Sequence, residues 1–369
     1  MRNLLFLSLV VAQVAGLPAA PALGQDRGAP AAIGIAAPLE GAQALLGRQI
    51  ADGVRAAAAR LGPDAVPRLV EADTACTAEG GRAAAERFVA EKVEIVVGFL
   101  CSEEIEAALP ILQAAGIPTL NVGVRANRLT DERARTGHLV WRVAPRSDAE
   151  ASALARTIVA RWTDQPFGLV EDGSIEARTL VDTVRRLLSE QGLQPSILET
   201  FRPAEEKQFG LVRRLQRSGV TRFLVVGERP DVATIARDAA SNGLALEIVG
   251  GEKLFDEGDP ALPLPAGTIA VGPKNRFPEL RPAGTPEDPD AAEPGPYGYY
   301  GPAFAATEIA LQTIGQARDL DRPLPEILSG ATFRTVLGPI RFDAKGDSTL
   351  DLYRAFRWED ERFTEAGAS

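Results

Sequence analysis

Short β-branched runs and segments with a helical period take turns along this chain, and they do so in two successive series. Ala31 to Leu39 reads as a strand, and Leu45 to Gly62 as a helix with Leu46, Ile50, Val54 and Ala58 on one face. Strands at Val66 to Asp73, Val93 to Leu100 and Ile117 to Gly123 then alternate with helices at Ala78 to Glu91 and Ser102 to Gly116. Strand–helix–strand units of this kind predict a parallel sheet with helices on both faces. The pattern restarts after Leu139 to Pro145, with a helix from Asp148 to Trp162 and a second run of strands beginning at Phe167 to Asp172.

Two such series in 369 residues predict an α/β chain with two Rossmann-like lobes. The material after Asn275 is too small for a third domain. It comprises a Pro- and acid-rich surface loop (Pro278 to Gly298), a helix from Pro302 to Ala317, a short one near Pro325, and strands around the turn Asp343 to Asp347. It therefore has to complete both lobes, and the chain crosses between them more than once. The expected division is 29–145 plus 277–338 for the first lobe and 146–276 plus 339–363 for the second.

The first residues carry one basic side chain, Arg2, an apolar run from Leu4 to Val14, and small residues at Ala22 and Gly24. This reads as a secretory signal peptide over 1–24, with an apolar part too short to span a bilayer. In an oxidising compartment the two cysteines, Cys76 and Cys101, most simply form one disulfide, worth about 3 kcal/mol by loop closure. A redox pair would want C-x-x-C spacing or a base beside the thiol. The net charge of −10 argues against nucleic acid as a partner.

The usual phosphate cradles, G-x-G-x-x-G after the first strand and G-x-x-x-x-G-K-[ST], do not occur, and neither does G-x-S-x-G. A single histidine, His138, leaves no set for a multi-histidine metal site, so no cofactor and no metal are expected. Acidic pairs such as Glu103–Glu104 read as solvated edges. Ligands of parallel α/β sheets bind beyond the carboxyl ends of the strands, where helix N-termini offer N–H groups to anions. Six loops qualify: 38–44, 101–103 and 123–127 in the first lobe, and 171–174, 227–230 and 250–253 in the second. The disulfide would stiffen one rim of that mouth and set Ser102 at a helix start, as an N-cap alone or as a cap that also touches ligand.

IGIAAPLEGAQALLGRQIADGVRAA, EADTACTAEGGRAAAERFVAEKVEIVVGFLCSEE, GIPTLNVGVRANRLT, VGGEKL and GPIRFDAKGD together resemble the Leu/Ile/Val-binding proteins, type I periplasmic ligand-binding proteins of branched-chain amino-acid ABC transporters. The likeness runs through essentially the whole chain after the signal. It implies the type I periplasmic binding protein fold, two lobes joined by a three-crossover hinge and closing as a monomer on an amino acid or other small carboxylate. The partner it implies is an ABC transporter permease. Carried over motif by motif, Ser102, Gly123 and the Arg125 position would hold the ligand carboxylate and Glu252 its ammonium. Three positions depart from the family: Arg125 replaces a hydroxyl residue, Leu46 stands where an aromatic is common, and Glu176 falls near the usual tyrosine. Arg229 lies in the next strand-end loop. With Arg125 and Arg229 in the cleft, a second carboxylate or an aromatic acid becomes a candidate ligand; pointing outward, they are surface arginines. A sensory binding protein without a transporter shares every one of these motifs.

Overall fold

The buried apolar runs of the first series form five parallel strands: β1 (Ala32–Ala37), β2 (Arg68–Asp73), β3 (Ile95–Gly98), β4 (Thr119–Asn121) and β5 (Val140–Arg142). They lie side by side in the order β2-β1-β3-β4-β5. The structure, a computed structural model, describes residues 30–61, 66–281 and 296–366. The signal segment and most of the Pro- and acid-rich loop lie outside the described residues.

The second series gives β6 (Gly168–Glu171), β7 (Ile197–Thr200), β8 (Arg222–Val226), β9 (Glu247–Gly250) and β10 (Ile269–Pro273). After the small hairpin β11 (Phe333–Thr335) and β12 (Gly338–Ile340), β13 (Tyr353–Glu359) and β14 (Arg362–Glu365) join this second sheet. Its order is β14-β13-β10-β9-β8-β6-β7, with β13 antiparallel to β10 and β14 antiparallel to β13. The five parallel strands of each sheet thus repeat one order, second-first-third-fourth-fifth, the doubly wound arrangement whose ligand crevice lies beyond the strands' carboxyl ends.

The central parallel strands of each sheet are buried on both faces, as parallel strands between helix layers require. On the first, Ile33, Ile35 and Val97 pack with Ile50, Val54, Ile309 and Ile314 on one side, while Val70, Val96, Phe88 and Leu109 fill the other. The helices Ala44–Ala59 and Tyr300–Leu320 approach each other so closely that a Cβ on Gly53 would stand 2.4 Å from the Tyr300 carbonyl oxygen. Glycine there sets the interhelix distance. The second sheet is covered by helices Ala149–Trp162 and Ile175–Ser189 on one face, and by Phe209–Ser218 and Arg229–Ser241 on the other.

The chain passes between the sheets three times: after β5, after β10, and between β12 and β13. Ile340 and Phe342 still pack in the first sheet's core, so the last passage runs through the turn Asp343–Asp347. That turn closes a bridge between Phe342 and Ser348, and Asp347 pairs with Arg142 at the end of β5. Asp343 holds it by accepting from the backbone N–H groups of Lys345 and Asp347, and Gly346 sits at φ +92°, where a side chain would be strained.

Cys76 and Cys101 are joined, with Cα atoms 5.3 Å apart. The bond ties the loop after β2 to the loop after β3, in a corner where Ala75, Cys76 and Phe99 all have positive φ. Replacing both cysteines by serine is expected to lower the unfolding free energy by about 2–3 kcal/mol, measured by denaturant titration. A loss no larger than the scatter between repeats would mean that the crosslink adds nothing to the fold.

Candidate functional site

The loop after β4 is shaped by a side chain the sequence reading passed over. Asn121, fully buried, donates from Nδ2 to the Val124 carbonyl (2.7 Å) and accepts at Oδ1 from the N–H groups of Gly123 (3.3 Å) and Val124 (3.0 Å). The Gly123 N–H expected to face a ligand is therefore turned onto Asn121. The next residue out, Arg125, leaves the first lobe altogether. Its Nη1 and Nη2 donate to Oε2 and Oε1 of Glu252, both at 2.7 Å, and Glu252 lies beyond β9 in the second lobe.

This bidentate pair bridges the lobes, and it is reinforced from β13: the Tyr353 hydroxyl accepts from Arg125 and donates to Glu252. Burial alone would lower the Arg125 pKa, but the Glu252 hydrogen bonds and charge outweigh it and raise the pKa overall. The Tyr353 phenol is pushed well above its usual value by burial and by the Glu252 carboxylate. Glu150, in the first turn of helix Ala149–Trp162, accepts from the Glu252 N–H at 2.8 Å. Burial, with the Glu252 charge added, lifts the Glu150 carboxyl to about 7. Tyr299 also feels both charges, Arg125 lowering and Glu252 raising a phenol pKa that burial sets high.

Arg125, Glu150 and Glu252 stand on the wall of a cavity of about 580 Å3. That size lies within the range of small-molecule sites. The rest of the wall includes Glu176, Lys253 and Asp256, with Leu180, Val226 and Phe255 as its apolar part. Lys253 reaches Glu228 at 2.8 Å and Glu176 at 3.4 Å, so its charge is already shared. The wall can thus offer a guanidinium and several carboxylates to a polar ligand end, and an apolar surface to the remainder.

Of the residues expected at the site, the structure brings Arg125, Glu252 and Glu176 to this cavity; Ser102, Gly123, Leu46 and Arg229 are not on its wall. Ser102 is the first residue of helix Ser102–Ala114 and does not cap it. The N-cap is Cys101, and the capping is done by Glu104, whose Oε1 accepts from the N–H groups of Leu100 and Cys101 (2.6 and 3.0 Å). Glu104 is 0% exposed, so the solvated-edge expectation for that acid is corrected as well: the two free N–H groups draw it inward. Leu46 is half-buried in helix Ala44–Ala59. Arg229 is held instead by its guanidinium 4.4 Å above the Trp358 ring and by a hydrogen bond donated to the Asp256 carbonyl at 3.0 Å.

Sequence reasoning missed Glu150, Tyr353 and Asn121. Glu150 had a signal, an acid in the first turn of a helix that follows a crossing; Tyr353 had none, since it reaches the site only through the third passage of the chain.

The family model described as periplasmic binding protein matches residues 30–362. A Leu/Ile/Val-binding protein homolog 2 from Brucella abortus is 26% identical over 354 residues, covering 91% of this chain and 92% of that protein. The crystal structure of a putative branched-chain amino acid ABC transporter from Rhodospirillum rubrum has a TM-score of 0.71 at 19% identity, covering 91% of this chain and 100% of the other. A substrate-binding protein from Desulfitobacterium hafniense, solved in complex with Leu, has a TM-score of 0.65 at 21% identity, covering 92% and 100%. Two doubly wound lobes, three passages between them and a cavity with charged and apolar wall residues agree with these matches, and the chain belongs to the periplasmic binding proteins of the branched-chain amino-acid ABC transporter type.

Proposed function

We propose that this chain is the exported, periplasmic receptor of an importer: a monomer that captures an amino acid or related small carboxylate between its lobes and presents the closed form to an ABC transporter permease. The lobes are taken as 29–145 plus 277–338 and 146–276 plus 339–363, moving on the three passages as a hinge. The observation that carries the reading is the Arg125–Glu252 pair, one residue from each lobe and of opposite charge, on the wall of a cavity of about 580 Å3. Capture, with no turnover, is the chemistry this arrangement favours, and the relatives in the family are binding proteins. The Leu complex of the Desulfitobacterium neighbour supports an amino acid as the ligand class. Within the described residues no helix is long and apolar enough to cross a membrane.

A thermal-shift screen of the mature chain against L-amino acids and small carboxylates tests this directly. A ligand at a hundred times its dissociation constant should add about 2.7 kcal/mol of stability, a shift of several degrees. A flat response across both classes would overturn the proposal.

A further inference from the structure

We infer that the protein closes without a ligand: Arg125, Glu252 and Tyr353 form a latch that fastens the two sheets together and holds the empty cleft shut. The latch belongs to the ligand-free chain and does not depend on what the cleft captures.

The bodies built on β1–β5 and on β6–β10 are joined covalently by the three passages. Ion pairs cluster along those passages: Arg142 and Arg146 with Asp347, Lys345 with Asp131, and Lys274 with Glu279. Pairs of that kind sit on the hinge itself, so they do little to fix the angle between the bodies. Among the described residues, Arg125–Glu252 is the ion pair that links the two sheets through side chains carried by neither the passages nor the turn Asp343–Asp347. Arg125 follows β4 and Glu252 follows β9, both beyond the carboxyl ends of their strands. The pair therefore stands across the mouth that a hinge motion would widen.

The contact is made as a fastening. Its two bonds, both 2.7 Å, are parallel and charge-assisted, the strongest form a guanidinium and a carboxylate can adopt. Tyr353 comes from the same sheet as Glu252, and its hydroxyl accepts from Arg125 while donating to Glu252, so two groups of one body grip a single side chain of the other. Both ends are anchored. The Arg125 carbonyl accepts from Arg142 Nη1 at 3.1 Å and from the Ser147 N–H at 2.9 Å, and the Glu252 N–H is held by Glu150 at 2.8 Å. Drawing the bodies apart must therefore break the fork, since neither loop is free to follow it. Both side chains are mostly shielded from water, so salt screens the pair less than it would an exposed one. Cargo then enters after the latch opens, with no standing gap between the bodies.

The test is small-angle X-ray scattering of the mature chain after unfolding in guanidinium chloride, dialysis and refolding with the disulfide kept, which strips any small molecule carried through purification. The wild type should scatter as one compact body, with a radius of gyration of about 20 Å for its length. Arg125→Ala and Glu252→Gln should each raise that radius by about 1 Å, as moving two half-sized bodies about 4 Å apart would. The double variant should open no further than either single one, because the two side chains act as a unit. Arg125→Lys, which keeps the charge and loses the fork, and Tyr353→Phe should fall between wild type and Arg125→Ala; they also carry the test if circular dichroism shows that a harsher variant has not folded. Pulsed electron spin resonance between labels on Leu45→Cys and Ile175→Cys, exposed positions at the starts of the helices after β1 and β6, should show a longer distance in the Arg125→Ala background than in the wild-type background. A wild type with the same radius and label distance as Arg125→Ala overturns the latch, whether both are open or both are closed. No ligand enters these measurements, so their failure is separate from a flat thermal-shift screen: a chain that captures nothing can still be latched, and a working receptor can prove to stand open.

Discussion

Asp347→Ala is expected to destabilise the protein by about 3–5 kcal/mol, because it strands a buried guanidinium. Arg142 is 0% exposed at the end of β5, and its Nε and Nη2 meet Asp347 Oδ1 at 2.7 and 2.6 Å. Burial lowers the Arg142 pKa and Asp347 works against that, so the aspartate is what makes a charged arginine tolerable there. Removing it leaves the guanidinium with Thr130 Oγ1 at 2.6 Å and two carbonyls, and none of those carries a charge. Arg146 would lose its Asp347 contact at 2.8 Å but keep Asp131 and Asp148, so it adds little to the cost. Asp347→Asn, which keeps the shape and one acceptor, should cost about 1–3 kcal/mol. Guanidinium chloride unfolding of both variants measures this; a loss below about 1 kcal/mol in the alanine variant would show that water or a shifted side chain replaces the ion pair. The same contact joins the first and third passages of the hinge to the loop that carries Arg125. Ligand affinity should therefore fall in the asparagine variant even where most of the stability is kept.

The architecture was legible because its signal is local. A run such as Ile95-Val-Val-Gly98 followed by the period of Ser102–Ala114 states strand and helix within a few residues, and repeating the unit leaves few ways to stack it. The disulfide was legible for a similar reason, two cysteines in one chain having a single pairing. The site was legible only in part. Arg125 and Glu252 were singled out through the motifs around them, but nothing in either motif says that they meet each other: that contact spans 127 positions and depends on how two lobes sit together. The cap expected of Ser102 comes instead from the carboxylate of Glu104, two residues on, folding back on the helix start. Arg229 was left open between cleft and surface because Trp358, its ring partner, comes from the last strands of the chain. For Arg125, Glu252 and Arg229 the local motif was readable, and a partner distant in sequence decided where the side chain went.

Glu150→Gln is expected to stabilise the protein at about pH 8 by about 3 kcal/mol while changing little at about pH 5. The folded chain holds the Glu150 carboxyl at about 7, against a reference value of 4.5, through burial first and the Glu252 charge second. Because the folded pKa is the higher one, the folded state binds more protons between the two values. The associated stability is complete below the unfolded pKa and is lost as pH rises through about 7. Glutamine keeps an acceptor for the Glu252 N–H and cannot ionise, so the variant should lack this decline. Other groups titrate nearby: burial, with Arg135 second, lowers the His138 pKa, which makes stability rise with pH through the unfolded histidine value and partly offsets the Glu150 decline. Asp131, held at about 2 by hydrogen bonds from Arg146 and Lys345, acts only below that window. The difference between variant and wild type removes both, leaving Glu150 alone. Urea unfolding at about pH 5, 6.5 and 8 supplies the curves. Parallel profiles would mean that Glu150 is ionised and paired throughout, with Arg125 serving both acids at once. A variant that gains stability only as pH rises would instead show that Arg125 is committed to Glu252, and that the proton on Glu150 is what keeps two adjoining acids from sharing one cation.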